Sequence, residues 1–177
     1  MLFRSNRIDL LHRLPSLRFL LCMRRRADAM PVRPADTIAI DRFEAKELAM
    51  SYALRFPNVH QALAFMVSWP VLDKAAALVV QRSGELDGDH YEILSPAADA
   101  LAAKYPLAAT LLLRAMIDFS LKKNRVKRYR HAARHFAECT SLASAIGAFG
   151  AVETHERYSN RLKQEHGRKT SFWTLVS

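Results

Sequence analysis

Apolar residues recur at helical spacing along most of the chain from residue 41 onward. Leu48, Tyr52 and Phe56 share one side of a helix that ends at Pro57, and the next apolar stripe ends at Pro70. Spacings of three and four residues are typical of amphipathic helices that bury one face. We find no segment with the two-residue alternation of a half-buried strand. The pattern therefore predicts an all-α protein.

Prolines divide this pattern into short helices. Ser95-Pro96 has the N-cap and the first-position proline of a helix start, and Pro106 opens the next helix in the same way. Leu107 to Leu121 is apolar on nearly every side, which is typical of a helix buried between neighbours. We expect six or seven helices between Asp41 and Ser177, stacked as helical hairpins in a solenoid-like array with Leu107–Leu121 at its centre.

The C-terminal residues form a helix followed by an apolar tail. The helix is expected to run from Glu153 to His166, with Gly167 in the left-handed conformation that ends many helices. Phe172, Trp173, Leu175 and Val176 follow. Because an apolar tail is unfavourable in water, we expect it to fold back onto the preceding helices or to insert into a partner.

Residues 1–40 differ from the rest of the chain. They are rich in arginine, and three arginines follow the apolar stretch that ends at Met23, so the segment does not match a secretory signal. Met30-Pro31-Val32-Arg33-Pro34 is typical of a linker. We expect residues 1–40 to be an extra helix or a poorly ordered segment with a linker, and residues 41–177 to form one helical domain.

The cysteines and the longest apolar stretch indicate a cytoplasmic protein. Cys22 and Cys139 have no paired spacing, so a disulfide framework is not expected. The most apolar segment, Leu107–Leu121, is interrupted by Arg114 and Asp118, so we expect no membrane span. The same two side chains lie at positions i and i+4 of a buried helix, and we predict that they form a structural ion pair with each other.

Charge is distributed unevenly along the chain, whose net charge is +10. Residues 1–35 contain eight arginines and two aspartates, residues 36–120 contain seven basic and eleven acidic residues, and residues 121–177 contain twelve basic and four acidic residues. A basic end beside an acidic middle suits either a polyanion or another part of the same polypeptide as the partner.

The densest group of cations is a basic run without an intervening acid. It comprises Lys122, Lys123, Arg125, Lys127, Arg128, Arg130 and Arg134. Such a run suits salt-sensitive binding to nucleic acid, but Tyr129 and Phe136 lie on the opposite, core-facing stripe and are not free to stack on bases. A solvated or intramolecularly docked face is the favoured interpretation.

Histidines and a cysteine form the one pattern that suits metal binding. His131, His135 and Cys139 recur every four residues on one flank, and His155 and His166 lie on a second stripe. Imidazole and thiolate groups are zinc ligands, so these five residues are the candidates for a metal site.

The flank has a simpler interpretation as a packing surface, because Leu142 and Ile146 continue it. His131 and His135 would then contact the terminal helix near Tyr158 or Leu162. We predict no cofactor and only substoichiometric metal in the purified protein.

Several segments carry a resemblance to a known family. They are Ala62-Leu63-Ala64-Phe65 with Trp69-Pro70, Glu85-Leu86-Asp87-Gly88, Pro106 to Asp118, Arg128 to His135, and His166-Gly167-Arg168-Lys169 with Phe172-Trp173. Residues 41–177 resemble the C-terminal portion of uncharacterised bacterial helical proteins that carry a domain of unknown function. The resemblance implies a helical scaffold and supplies no catalytic residues.

The leading functional hypothesis is a noncatalytic scaffold or protein-interaction module. No complete catalytic motif occurs, since the chain lacks both the GxSxG nucleophile pattern and the HExxH metalloprotease pattern. Its partner would be another protein or a missing N-terminal domain. Two alternatives stay open: a nucleic-acid-binding module that uses the basic run, and a metal-dependent enzyme or zinc protein that uses the histidines.

Overall fold

The computed structural model of the protein describes residues 50–176, and the regular secondary structure of this part is entirely helical. The prediction of an all-α protein is confirmed. The expectations for residues 1–40 and for the beginning of the helical domain lie outside the described residues.

Seven α-helices follow a helical segment at residues 50–54. They are α1 (Val59–Ser68), α2 (Leu72–Gln81), α3 (Tyr91–Leu101), α4 (Pro106–Lys122), α5 (Tyr129–Ala143), α6 (His155–His166) and α7 (Thr170–Val176), with 3-10 turns at Ser83–Glu85 and Val126–Arg128. Neighbouring helices pack against one another, as expected of a helical array.

The helix ends follow local sequence signals at most positions. Asn58 caps α1 by accepting hydrogen bonds from the backbone N–H groups of His60 and Gln61 at 3.0 and 3.1 Å. Pro106 is the first residue of α4, as predicted. Thr154 caps α6 through a hydrogen bond from the Arg157 N–H. These groups satisfy backbone donors that would otherwise lack partners within the helix.

Pro96 is an exception, because it lies inside α3 and does not open a helix. The helix continues through Pro96 because apolar residues on both sides of the proline are buried. The buried residues Ile93 and Leu94 precede the proline. The buried residues Ala97, Ala98 and Leu101 follow it. A single interior proline costs a helix about 3 kcal/mol, and burial of this continuous apolar face offsets that cost.

Helix α4 is the centre of the described fold. It has ten buried residues, more than any other described helix, and it packs against α2, α3 and α5. The expectation that Leu107–Leu121 is the most buried segment is confirmed. No helix between residues 50 and 176 has both the length and the apolar character that a membrane span requires.

The C-terminal tail folds back onto α5. Phe172 is fully buried, and its ring lies 6.0 Å from that of Tyr129 and 5.0 Å from that of Trp173. The Trp173 indole N–H donates to the His166 carbonyl at 2.9 Å. The prediction that the tail docks is therefore confirmed. The prediction of a left-handed conformation at Gly167 is wrong, because the φ of this residue is −58°, in the right-handed helical region.

Candidate functional site

The basic run lies where α4 turns into α5. Six of its seven cations are exposed and Arg128 is half-buried. Arg128 pairs with Asp89 at 2.8 Å, and Arg134 lies 3.7 Å from Glu138. The other five cations, Lys122, Lys123, Arg125, Lys127 and Arg130, have no acidic partner within 4 Å among residues 50–176. We call these seven residues the basic surface, and most of its charge faces solvent.

A small cleft, the basic cleft, lies beside this surface where α3, α4 and α5 meet. It has a volume of about 240 Å³. Its polar lining residues are Tyr91, Ser95, Ser120, Lys127, Arg128, His131, Arg134 and His135, with no carboxylate among them. Cations and hydroxyl groups are hydrogen-bond donors, so the lining suits an anionic group.

Arg128 is held in place at the mouth of the basic cleft. Its guanidinium lies over the Tyr91 ring at 4.7 Å and over the Phe119 ring at 5.5 Å, and Asp89 pairs with it. A cation stacked on aromatic rings loses less side-chain freedom when it binds a ligand. Arg128 is therefore the most preorganised cation of the basic surface.

His131 and His135 line the basic cleft. The contacts of α5 with His155 of α6 come instead from Phe136 and Thr140. The reason is the rotation of α5: its other stripe, with Tyr129 and Phe136, carries the C-terminal contacts. His135 is buried, and its Nδ1 lies 3.4 Å from a Glu138 carboxylate oxygen. Burial lowers the pKa of His135 despite this carboxylate, so its neutral form is favoured at neutral pH.

The other three metal candidates lie elsewhere. Cys139 is buried with its thiol 3.9 Å from the Thr110 carbonyl, His155 Nε2 lies 3.1 Å from the Thr140 hydroxyl, and His166 lies 3.9 Å from Glu165. Within the described ranges, no three histidine, cysteine or acidic side chains are grouped as a metal site requires. The metalloprotein alternative thus has no assembled ligand set in this part of the chain.

Cys139 is expected to resist alkylation while the protein is folded. Burial raises the pKa of its thiol to about 12, so both thiolate formation and access are suppressed. In a Cys22→Ser background, mass spectrometry after iodoacetamide treatment at pH 8 should find Cys139 unmodified until urea unfolds the chain. Rapid modification without urea would contradict the buried position.

Arg114 and Asp118 have different partners instead of the predicted ion pair with each other. Arg114 Nη1 donates to the Glu153 carbonyl at 2.8 Å. Asp118 accepts from the Tyr158 hydroxyl at 3.0 Å and lies 3.3 Å from Arg161 Nη2. Both sets of partners come from the segment that leads into α6 and from α6 itself, so these two charges fix how α6 docks on α4.

A larger cleft, the Arg114 cleft, opens along the same side of α4. It has a volume of about 650 Å³ and lies between the 83–88 segment and the start of α6. Its charged lining residues are Glu85, Asp87, Arg114, Asp118, Lys122, Glu153 and Arg161. Gly88 lets the 83–88 segment approach α4, because a Cβ there would lie 2.2 Å from the Ala115 carbonyl oxygen.

Sequence reasoning missed several residues of these clefts. Tyr91 and Gly88 lie in or beside a turn, and the sequence suggests Tyr158 only as a packing contact of His131 or His135. The close approach of Gly88 follows from a glycine in the Asp87-Gly88-Asp89 turn, which was the available signal. Tyr158 and Arg161 both bind Asp118, which lies about forty positions earlier in the chain. Such distant contacts give no local signal in the sequence.

Together, the fold and these surfaces define an all-helical domain with a basic surface and two polar clefts. Residues 38–175 match the family described as "Family of unknown function (DUF6880)", and the chain belongs to that family. The expected resemblance to a family with a domain of unknown function is confirmed. No curated protein and no solved structure matches the chain.

Proposed function

We propose that this chain is a noncatalytic interaction module that binds an acidic segment of a partner protein on its basic surface. The observation that carries this proposal is the set of five exposed cations without an acidic partner in the described part of the chain. Cations concentrated on one surface attract an acidic partner and speed its association.

The apolar residues among these cations favour a protein partner. Val126 is 61% exposed and Tyr91 is 53% exposed, and both lie beside residues of the basic surface. Protein interfaces combine aromatic and aliphatic contacts at the centre with charged residues at the rim. The expected partner segment therefore carries both acidic and apolar side chains.

Residues 1–35 are unsuited to neutralise the basic surface. They contain eight arginines and only two aspartates, so they carry the same sign of charge. Like charges repel, and an intramolecular contact between these two regions would be electrostatically unfavourable. The complementary acidic segment is therefore expected outside this basic N-terminal region.

Charge reversal on the basic surface tests the proposal. The double variant Lys127→Glu/Arg130→Glu should bind a fluorescent peptide of glutamate and leucine residues at least tenfold more weakly than the unmodified chain. Each substitution replaces an attractive contact of about 0.5–1 kcal/mol with a repulsive one, and about 1.4 kcal/mol corresponds to a factor of ten. Fluorescence anisotropy at an ionic strength of about 0.1 M measures the affinity.

The matched control is Arg157→Glu/Lys163→Glu on α6, which makes the same change of net charge at exposed positions that are not part of the basic surface. Its affinity for the peptide should stay within about twofold of the original value, because neither side chain belongs to the proposed contact surface and salt screens interactions between exposed charges. Equal losses in both variants, or no peptide binding at low salt, would refute a specific basic site.

Nucleic-acid binding is the second candidate, and Tyr91 is the observation that favours it. Tyr129 and Phe136 are buried as predicted, whereas Tyr91 is an exposed aromatic ring in the lining of the basic cleft. Base stacking on an exposed aromatic contributes about 1–3 kcal/mol per base. Single-stranded RNA bound more tightly than the acidic peptide, and weakened by Tyr91→Leu, would establish this function in place of the first. No RNA binding even at low salt would eliminate it.

A further inference from the structure

The basic cleft contains a buried histidine with one unpaired ring nitrogen. His135 is 6% exposed and lines the cleft. Its Nδ1 contacts Glu138, which does not line the cleft, and its Nε2 has no hydrogen-bond partner between residues 50 and 176. Buried polar groups in proteins are normally hydrogen-bonded, so an unpaired nitrogen at the wall of a cleft indicates a contact for a ligand.

A hydroxyl group of α3 is a second unpaired group of this cleft. Ser95 is half-buried, lines the cleft and has no hydrogen-bond partner in the described part of the chain. The Ser120 hydroxyl differs, because it donates to the Met116 carbonyl at 2.8 Å and its proton is already used. Ser95 and His135 therefore offer polar contacts from two different helices, α3 and α5.

Arg128 adds a fixed cation to these two groups. Asp89 lies 2.8 Å from its Nη1, while its Nε and Nη2 have no hydrogen-bond partner among the described residues. The Arg128 side chain is 31% exposed, so a ligand can reach it from solvent, unlike the enclosed guanidinium of Arg114. A guanidinium binds two oxygens of one anion through parallel hydrogen bonds. Arg128 is therefore the main candidate for holding an anion in the cleft.

The lining of the basic cleft stays positively charged. Lys127, Arg128 and Arg134 line it, and no carboxylate does. Asp89 and Glu138 lie outside the lining and contact Arg128 and Arg134, which offsets part of the charge. Lys127 has no acidic partner within the described ranges, so a negatively charged ligand is favoured.

A phosphomonoester fits this set of groups better than a carboxylate does. Its three terminal oxygens surround a tetrahedral phosphorus and can contact Arg128, Ser95 and His135 from different directions, whereas the two oxygens of a carboxylate lie in one plane. The second pKa of a phosphomonoester is about 6, close to that of imidazole, so one proton can be shared between a phosphate oxygen and Nε2 of His135. A carboxylate is ionised at neutral pH and carries no such proton.

We propose that the basic cleft binds a phosphorylated serine or threonine of the acidic partner segment. Arg128 donates to two phosphate oxygens, and Ser95 and His135 contact the third. The exposed side chains of Val126 and Tyr91 lie beside residues of the basic surface, so the residues around the phosphate can continue onto that surface. This inference rests on the proposed function, because it names a modified residue of the same partner segment.

Three fluorescent peptides of equal length test the proposal with the full chain. All consist of glutamate and leucine residues around one central position, which holds serine in the first peptide and phosphoserine in the second. In the third, two glutamates replace the central serine and one leucine, so that its charge matches that of the phosphorylated peptide. In fluorescence anisotropy at an ionic strength of about 0.1 M, the phosphoserine peptide should bind at least tenfold more tightly than either of the others, because it forms several charge-assisted hydrogen bonds in the cleft.

Arg128→Lys tests whether the guanidinium makes the contact. The variant keeps the charge but loses the paired donors, so it should bind the phosphoserine peptide at least fivefold more weakly and the serine peptide within about twofold of the original value. Arg130→Lys makes the same change at an exposed position of the basic surface that does not line the cleft, and it should leave both affinities unchanged. Circular dichroism checks that each variant is folded. If Arg128→Lys does not fold, Ser95→Ala takes its place and should weaken the binding of the phosphoserine peptide alone.

The outcomes separate this inference from the proposed function. Equal affinity for the phosphoserine and diglutamate peptides would overturn the phosphate site, while binding of both would still support an acidic partner segment. Binding of the phosphoserine peptide alone would support the phosphate site and show that acidic residues are not sufficient by themselves. No binding of any peptide would overturn both proposals.

Competition experiments decide between the phosphorylated segment and other phosphates. Unlabelled phosphoserine peptide should displace the labelled one at a lower concentration than single-stranded RNA or inorganic phosphate. Displacement by RNA at the lowest concentration would assign the cleft to nucleic acid. Displacement by inorganic phosphate at the same concentration as the peptide would show that the partner segment adds nothing to binding. Either result would overturn the proposal.

Discussion

Replacing Phe172 by alanine is expected to lower the free energy of unfolding by about 3–5 kcal/mol. The ring is fully buried and lies between Tyr129 of α5 and Trp173 of α7. Its loss removes apolar contacts and leaves a cavity that these two rigid neighbours fill poorly. Urea denaturation followed by circular dichroism measures the change.

Leu175→Ala is the matched control in the same helix. Leu175 is 50% exposed, so its truncation should change the free energy of unfolding by about 0.5 kcal/mol or less. If both variants lost the same stability, the burial of the Phe172 ring would not be the cause of the loss. If Phe172→Ala lost none, the docked position of the C-terminal segment would be wrong.

Gly88→Ala is expected to lower the free energy of unfolding by about 3 kcal/mol. The added Cβ would lie 2.2 Å from the Ala115 carbonyl oxygen and 2.6 Å from the Phe119 Cβ. Both atoms belong to α4, so the 83–88 segment has to move away from the central helix. Thermal and urea unfolding both report this loss.

Gly84→Ala provides the comparison for this substitution. A Cβ at Gly84 would meet no atom within 4 Å, and the same segment carries both glycines. Alanine there should be neutral or stabilising by up to about 1 kcal/mol, because it restricts the unfolded chain. Equal destabilisation by the two alanines would show that the effect arises from glycine flexibility and not from the contact with α4.

Local signals predicted most of the helices in the described part. Pro57 and Pro70 lie between helices, and Pro106 begins α4, because proline removes a backbone donor and fixes φ. Pro96 does not follow this rule, because it lies inside α3 and not at a helix end. Its apolar neighbours on both sides form one buried face, and the energy of that burial is set by α4 and by the rest of the core.

Of the candidate functional residues, only the exposed cations of the basic surface could be predicted from the sequence. An uninterrupted run of cations is too polar to bury, and six of the seven are indeed exposed. The partners of Arg114 were not predictable, because spacing along a helix indicates which residues of that helix are neighbours and not which distant segment approaches. Glu153, which accepts from Arg114, is 39 residues away.

Helix α6 is anchored to the rest of the molecule mainly by polar contacts. Only Tyr158 and Leu162 of its twelve residues are buried, whereas α4 has ten buried residues. Regions with few buried apolar contacts open at a lower free energy than the core, so amide protons of α6 should exchange with solvent sooner than those of α4. Because the Tyr158 ring lies against the guanidinium of Arg114, each such opening of α6 exposes this buried charge to solvent while the core stays folded.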